Sequence, residues 1–194
     1  MIPTKAYAVH NATGDLLRNN SVPVGPGATA SGTARALQLS PNSLVKQFPE
    51  LNVLINNVGI MKVDNALISS IVTTNLLGPI RMTSALIEHL KQRPAAYVIH
   101  VTSRTAFVPL AVTAAYSTTR AALHSFSLSQ RYLLRDTSVR VLELAPLYVQ
   151  TELMGPEQVA DPRAMPLQGF IDETDAHGVL TERVAFLRNG AGPK

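Results

Sequence analysis

Apolar and polar residues fall into regular periods only from Leu51 onward. Leu51-Asn52-Val53-Leu54-Ile55 is a short apolar run ending in Asn56-Asn57-Val58-Gly59, the pattern of a buried strand entering a turn. From Ile71 to Gln92, Leu76, Ile80, Thr83, Leu86, Ile87 and Leu90 recur at three- and four-residue spacing. That period predicts a long amphipathic helix, punctuated by Pro94. Tyr97–Thr102 is rich in β-branched residues and predicts a second strand. A second long helix is predicted from Thr113 to about Arg135. Ala114, Ala115, Ala121 and Ala122 are small there, while Leu123, Phe126, Leu133 and Leu134 supply bulk. Val139–Leu144 predicts a third strand, stopped by Pro146. Strands and helices alternating at this spacing predict right-handed crossovers and a parallel α/β sheet.

The flanks are less regular. Lys5–His10 is a candidate strand, residues 19–33 read as loop, and residues 34–47 read as one helix broken around Pro41. After Pro146 the chain is loop-rich to Pro166, with a short helix expected near Leu167–Glu173; Val179–Leu187 suits a strand or a helix. The expected organisation is a single domain in three stretches: an irregular 1–50, a regular core over 51–170, and a shortened tail over 171–194.

Composition narrows the classes. At 194 residues, 46% hydrophobic and 15% charged, the chain can bury a sizeable core. It has no cysteine, which excludes disulfides, thiolate metal sites and cysteine nucleophiles and fits a reducing compartment. No run approaches a membrane helix, and no apolar segment follows Lys5 as a secretory leader would require. The expected location is cytoplasmic, with no membrane contact. The net charge of +4 is dispersed and only 5% of residues are aromatic, so no nucleic-acid partner is expected. The five histidines lack metal-ligand spacing, so no metal site is expected, and His100 within a strand reads as a packed core residue.

The chemistry concentrates in Tyr116-Ser117-Thr118-Thr119-Arg120, with Ser103 thirteen residues upstream of Tyr116. Positions four apart share a helix face. A tyrosine hydroxyl ionises near pH 10 in free peptides. Proton transfer near neutrality therefore calls for a nearby cation that favours the anion.

These residues, with others in order, resemble the short-chain dehydrogenase/reductases over residues 51–170. Asn56-Asn57-Val58-Gly59 resembles the family's Asn-Asn-Ala-Gly turn. Asn75 in Thr74-Asn75-Leu76-Leu77-Gly78 sits at the catalytic asparagine, Ser103 at the strand-end serine, and Tyr116 and Arg120 at the Tyr-x-x-x-Lys positions. Ala145-Pro146-Leu147-Tyr148-Val149-Gln150-Thr151 resembles the segment that closes over the nicotinamide. Leu-Ala-Pro-Leu-Tyr-Val-Gln-Thr-Glu-Leu, with Pro162–Leu167 later, is similar to the DltE-like subgroup.

The resemblance implies a Rossmann-like, doubly wound parallel sheet flanked by helices. It implies hydride transfer between NAD or NADP and a small carbonyl or alcohol. Tyr116 would be the acid/base, Ser103 and Asn75 would support it, and Arg120 would be the cation. Asn56, Gly59, Val149 and Thr151 would join Tyr116 and Arg120 at the cofactor. A homodimer through 71–92 and 113–135 is implied as well.

Three departures accompany it. Arginine at 120 keeps the charge but cannot relay a proton. The family's Thr-Gly-x-x-x-Gly-x-Gly turn has its nearest approach in Gly27-Ala28-Thr29-Ala30-Ser31-Gly32, which lies too near Asn56; Gly14 is a second approach. Three strands with their helices need roughly 65–85 residues at ordinary element lengths, and 55 precede Asn56. The N-terminal part of the sheet is therefore expected to be incomplete, residues 1–50 being a remnant of the cofactor-binding half. The stretch after Asp172 reads as shortened. Two other readings stay open: an impaired homologue acting as a binding or dimerisation module, and an incomplete gene product.

Overall fold

A computed structural model describes residues 6–9, 41–63 and 67–176. The candidate loop at 19–33 and the segment 179–187 lie outside the described residues. Four strands form one parallel sheet in sequence order: β1 (Ala6–Val9), β2 (Val53–Asn56), β3 (Ala96–Val101) and β4 (Val139–Leu144). The strand expected at Lys5–His10 is thus β1, paired with β2 from Ala6 opposite Val53 to Val9 opposite Asn56. The fold class is the expected one, a Rossmann-like parallel sheet flanked by helices.

Helix α1 covers Pro41–Gln47. Of the helix expected over residues 34–47 and broken around Pro41, residues 34–40 lie outside the described residues. The predicted helix at 71–92 starts slightly earlier and is not uniform. It consists of α2 (Ile68–Val72), a π-helical segment over Thr73–Leu77, and α3 (Gly78–Lys91), with Pro79 near the start of α3. α4 (Ala114–Leu133) matches the second predicted helix within two residues. α5 (Leu167–Ala176) is three residues longer than its expected 167–173.

One sheet face carries Leu54, Val98 and Val141, packed with Leu86 and Leu90 of α3, Leu134 after α4, and Val45 of α1. The opposite face carries the buried Val53 and Ile99, with Ile55, Tyr97, Leu142 and Leu144 against them. Burial on both faces explains why β2 and β3 read as apolar runs with little alternation. Among the described residues, no helix is long and apolar enough to cross a membrane.

Candidate active site

The strand register creates a polar row across the sheet. Asn56 on β2 is opposite His100 on β3, which is opposite Glu143 on β4. All three are at most 2% exposed, so each must find partners. Asn56 Nδ2 donates to Thr83 Oγ1 of α3 at 3.0 Å and contacts His100 Nδ1 at 3.2 Å. His100 Nε2 lies 3.4 Å from Gln130 Oε1 of α4. A neutral ring with its proton on Nε2 satisfies both neighbours. The Asn56 side chain is therefore spent in the layer between sheet and helices.

Burial pushes the His100 imidazole down to about 4, opposed by its bond to Gln130 and reinforced by the charge of Arg131. In the unfolded chain the ring titrates near 6.5. The folded state binds fewer protons between those values. The stability is therefore complete above about pH 6.5 and falls as the pH drops to 4, by about 3 kcal/mol from this one group. Urea midpoints measured at pH 7 and pH 4.5 should separate accordingly, and His100→Gln should flatten the difference. A parent midpoint independent of pH over this range would contradict the assignment.

Glu143 anchors the neighbouring cluster. Its Oε1 accepts the Thr102 hydroxyl at 2.6 Å, and its Oε2 meets His124 Nδ1 of α4 at 2.8 Å. Thr102 immediately precedes Ser103, so the carboxylate ties the end of β3 to β4 and α4. Ser103 is half-buried and in extended backbone; its Oγ accepts the Thr105 N–H at 3.1 Å, capping a 3-10 turn over Arg104–Ala106. Sequence reading missed this cluster. Thr102, His124 and Glu143 are 41 or fewer residues apart in the chain, and only the register joins them.

Tyr116 lies in the first turn of α4 and Arg120 in the second. Both are buried, at 3% and 4% exposure. The Arg120 guanidinium carbon stands 4.9 Å from the Tyr116 ring centre, so the positive charge lies against the ring. Arg120 Nη1 donates to the Val101 carbonyl at 3.2 Å, and Nη2 to the Val58 carbonyl at 3.0 Å. Asn75, fully buried in the π-helical segment, grips the same turn. Its Oδ1 accepts the Ile60 N–H at 2.7 Å and its Nδ2 donates to the Ile60 carbonyl at 2.9 Å. Nδ2 also reaches Thr119 Oγ1 at 3.3 Å, whose proton goes to the Tyr116 carbonyl. The structure thus brings Asn75, Gly59, Tyr116 and Arg120 around one turn. The π-helical widening at Asn75 carries no signal in the apolar period.

The segment after β4 closes on the same turn. Leu153 Cδ1 stands 3.9 Å from the point a Gly59 Cβ would occupy. Val149 is buried and bridges Met165, and Gln158 braces the loop from within. Gln158 Nε2 donates to the Val149 carbonyl at 2.7 Å and to Thr151 Oγ1 at 3.2 Å, and its Oε1 accepts the Met154 N–H at 2.9 Å. At the rim, Asp161 is held well below the usual carboxylate range by hydrogen bonds from Arg163.

Two polar groups of the Tyr116–Arg120 pair remain unspent. The Arg120 Nε–H is buried without a partner, and the Tyr116 hydroxyl has none among the described residues. The Tyr116 hydroxyl is the member of this pair that can donate to or accept from a ligand oxygen. Among the described residues, no group of histidine, aspartate and glutamate is placed to hold a metal ion.

Comparison with known proteins places the chain in a family. The chain is 40% identical over 141 residues to the uncharacterized oxidoreductase DltE of Bacillus subtilis, covering 66% of this chain and 54% of that protein. It is 32% identical over 136 residues to an NADP-dependent 3-hydroxy acid dehydrogenase of Schizosaccharomyces pombe, covering 61% of this chain and 51% of that one. The chain thus spans about half the length of these curated relatives. In fold, it matches a short chain dehydrogenase from Burkholderia cenocepacia solved in complex with NADP. That match has a TM-score of 0.60 and 22% identity, and covers 72% of this chain and 62% of that structure. The family model for short chain dehydrogenase matches residues 27–161, and with the parallel sheet and a DltE-like relative in agreement, the chain belongs to the short-chain dehydrogenase family.

Proposed function

We propose that this chain is an oxidoreductase that moves hydride between NAD or NADP and a small carbonyl or alcohol, with Tyr116 as acid/base. The carrying observation is the Tyr116 hydroxyl, unpartnered among the described residues, with the Arg120 guanidinium 4.9 Å from its ring centre. Relatives support the chemistry by name: the Schizosaccharomyces pombe protein is an NADP-dependent 3-hydroxy acid dehydrogenase, and the Burkholderia cenocepacia structure contains NADP.

Tyr116 gives its hydroxyl proton to a substrate carbonyl oxygen in reduction and takes one from an alcohol in oxidation. The Ser103 oxygen already accepts from Thr105, so its own proton is available to bond the same substrate oxygen and stabilise charge developing there. Arg120 keeps a fixed positive charge beside Tyr116 without serving as a proton relay. Asn75 holds the Val58–Ile60 turn through its side chain. A bound dinucleotide would supply or accept the hydride. Tyr116 would hold its ribose with the Arg120 charge beside it, the Gly59 backbone would lie beside it, and Asn56 would lie toward the adenosine half. Val149 and Thr151 would meet the carboxamide. With the Val149 carbonyl taken by Gln158, the Val149 N–H and the Thr151 hydroxyl proton are the donors left for that contact. Association of two copies would use the long helices; on α4, Leu128 and Tyr132 are exposed apolar side chains that such a contact would cover.

Titration of the purified chain with NADPH and with NADH, followed by fluorescence, tests this reading. Saturable binding in the micromolar range is expected for one of the two. No binding at millimolar concentration of either overturns it.

A further inference from the structure

We propose that Gly59 and Arg120 form one interlocked positioning unit, in which the glycine leaves the space that the guanidinium fills and the guanidinium fixes the Val58–Ile60 turn to the end of β3. The contacts of Arg120 are directional. Its two terminal nitrogens bond the carbonyls of Val58, two residues past β2, and of Val101, the last residue of β3. The side chain is 4% exposed, so these are bonds from a buried cation to backbone groups, stronger than neutral ones and costly to break.

Gly59 answers to space and not to backbone conformation. The one described glycine with positive φ is Gly155, so the backbone at Gly59 is open to any residue. What forbids a side chain is Arg120: a Cβ added at Gly59 would overlap Nη2, and it would lie 3.5 Å from Cζ. The next neighbour, Leu153 Cδ1, is at ordinary contact distance. In this chain the space beside Gly59 is therefore filled by the residue at position 120, and a side chain at 59 would have to displace the anchored fork.

The other side of the turn is held independently. Asn75 bonds both the N–H and the carbonyl of Ile60, so the turn is clamped at Val58 by Arg120 and at Ile60 by Asn75. Lysine could not reproduce the first clamp. Its ammonium is one compact nitrogen, whereas the planar fork reaches two carbonyls at once. Arg120 is in this sense a positioning residue, and its charge lies beside Tyr116 because the fork is anchored on the strand ends.

The inference deepens the functional reading only in what it assigns to Arg120. Its test reads unfolding and not turnover or cofactor binding, so the two stand or fall separately. Thermal denaturation of the full chain is measured for the parent, Gly59→Ala, Arg120→Lys and the double variant. Each single change should lower Tm by roughly 5–10 °C, given the strength of charged hydrogen bonds and the size of the chain. The double variant should melt within about 2 °C of Arg120→Lys alone, because removing the fork removes the overlap. Failure of Gly59→Ala to fold, with the double variant folding, is the same result in stronger form. Additive losses, an alanine tolerated at 59 with Arg120 present, a double variant that does not fold, or a raised Tm for Arg120→Lys would each overturn the proposal.

Discussion

Tyr116→Phe is expected to reduce NAD(P)H-dependent carbonyl reduction by about 10²–10⁴-fold, the range over which a positioned general acid contributes. The substitution removes one oxygen and leaves the ring. The ring itself is buried at 3% exposure and lies against the Arg120 guanidinium, so packing and the cation–π contact survive. The hydroxyl has no partner among the described residues, so its loss strands no buried group. The variant should therefore keep the parent's far-ultraviolet circular dichroism and melt within a few degrees of it. Cofactor affinity should fall by less than tenfold, since the ribose loses one hydrogen bond of about 1 kcal/mol. Steady-state rates on a panel of small ketones and aldehydes, with cofactor binding measured alongside, make the comparison. Retention of more than a tenth of the parent rate would remove Tyr116 from the role of acid.

The second large effect is on stability. Glu143→Ala is expected to cost about 2–3 kcal/mol, as removal of a buried carboxyl group that holds two hydrogen bonds does. Glu143 is 1% exposed and its two oxygens are both used, by Thr102 at 2.6 Å and by His124 at 2.8 Å. Alanine leaves a buried hydroxyl and a partly buried imidazole without partners and opens space between β4 and α4. Glu143→Gln keeps the size and one acceptor oxygen, and should lose less than half as much. Urea unfolding at pH 7 reads both. A Glu143→Ala variant within 1 kcal/mol of the parent would show that the cluster is not held by this carboxylate. Because Thr102 precedes Ser103, the alanine variant should also loosen the end of β3, seen as faster amide hydrogen exchange at Thr105.

The elements of the core were legible because they obey simple periods. The four-residue recurrence of Leu86 and Leu90 is the face that packs on Leu54 and Val98. The strand over Val139–Leu144 was readable with its stop at Pro146. At the N-terminal side, a single proline was ambiguous. Pro41 breaks a helix that runs through it but starts one that begins at it, and local sequence does not choose between them; the described helix covers Pro41–Gln47. The candidate site was legible in part. Ser103, Tyr116 and Arg120 stand out through spacing within one strand and one helix. The partners of the Asn56 side chain were not legible, because whether a strand-end asparagine points outward or joins a buried row depends on what the neighbouring strands place beside it. Here they place His100, and α3 places Thr83.

Sequence by itself determined the parallel α/β core, the descent from a family of dehydrogenases, and the chemical types gathered near Tyr116. These follow from local period and ordered motifs, which need no knowledge of distant contacts. Tertiary structure decided what those groups do to one another. It placed Glu143 behind Ser103, committed Asn75 to Ile60 through a π-helical turn, and spent the Arg120 fork on the carbonyls of Val58 and Val101. The physical reason is that hydrogen-bond partners up to 62 residues apart are chosen by strand register and helix packing, and neither is encoded in the spacing of residues along one segment.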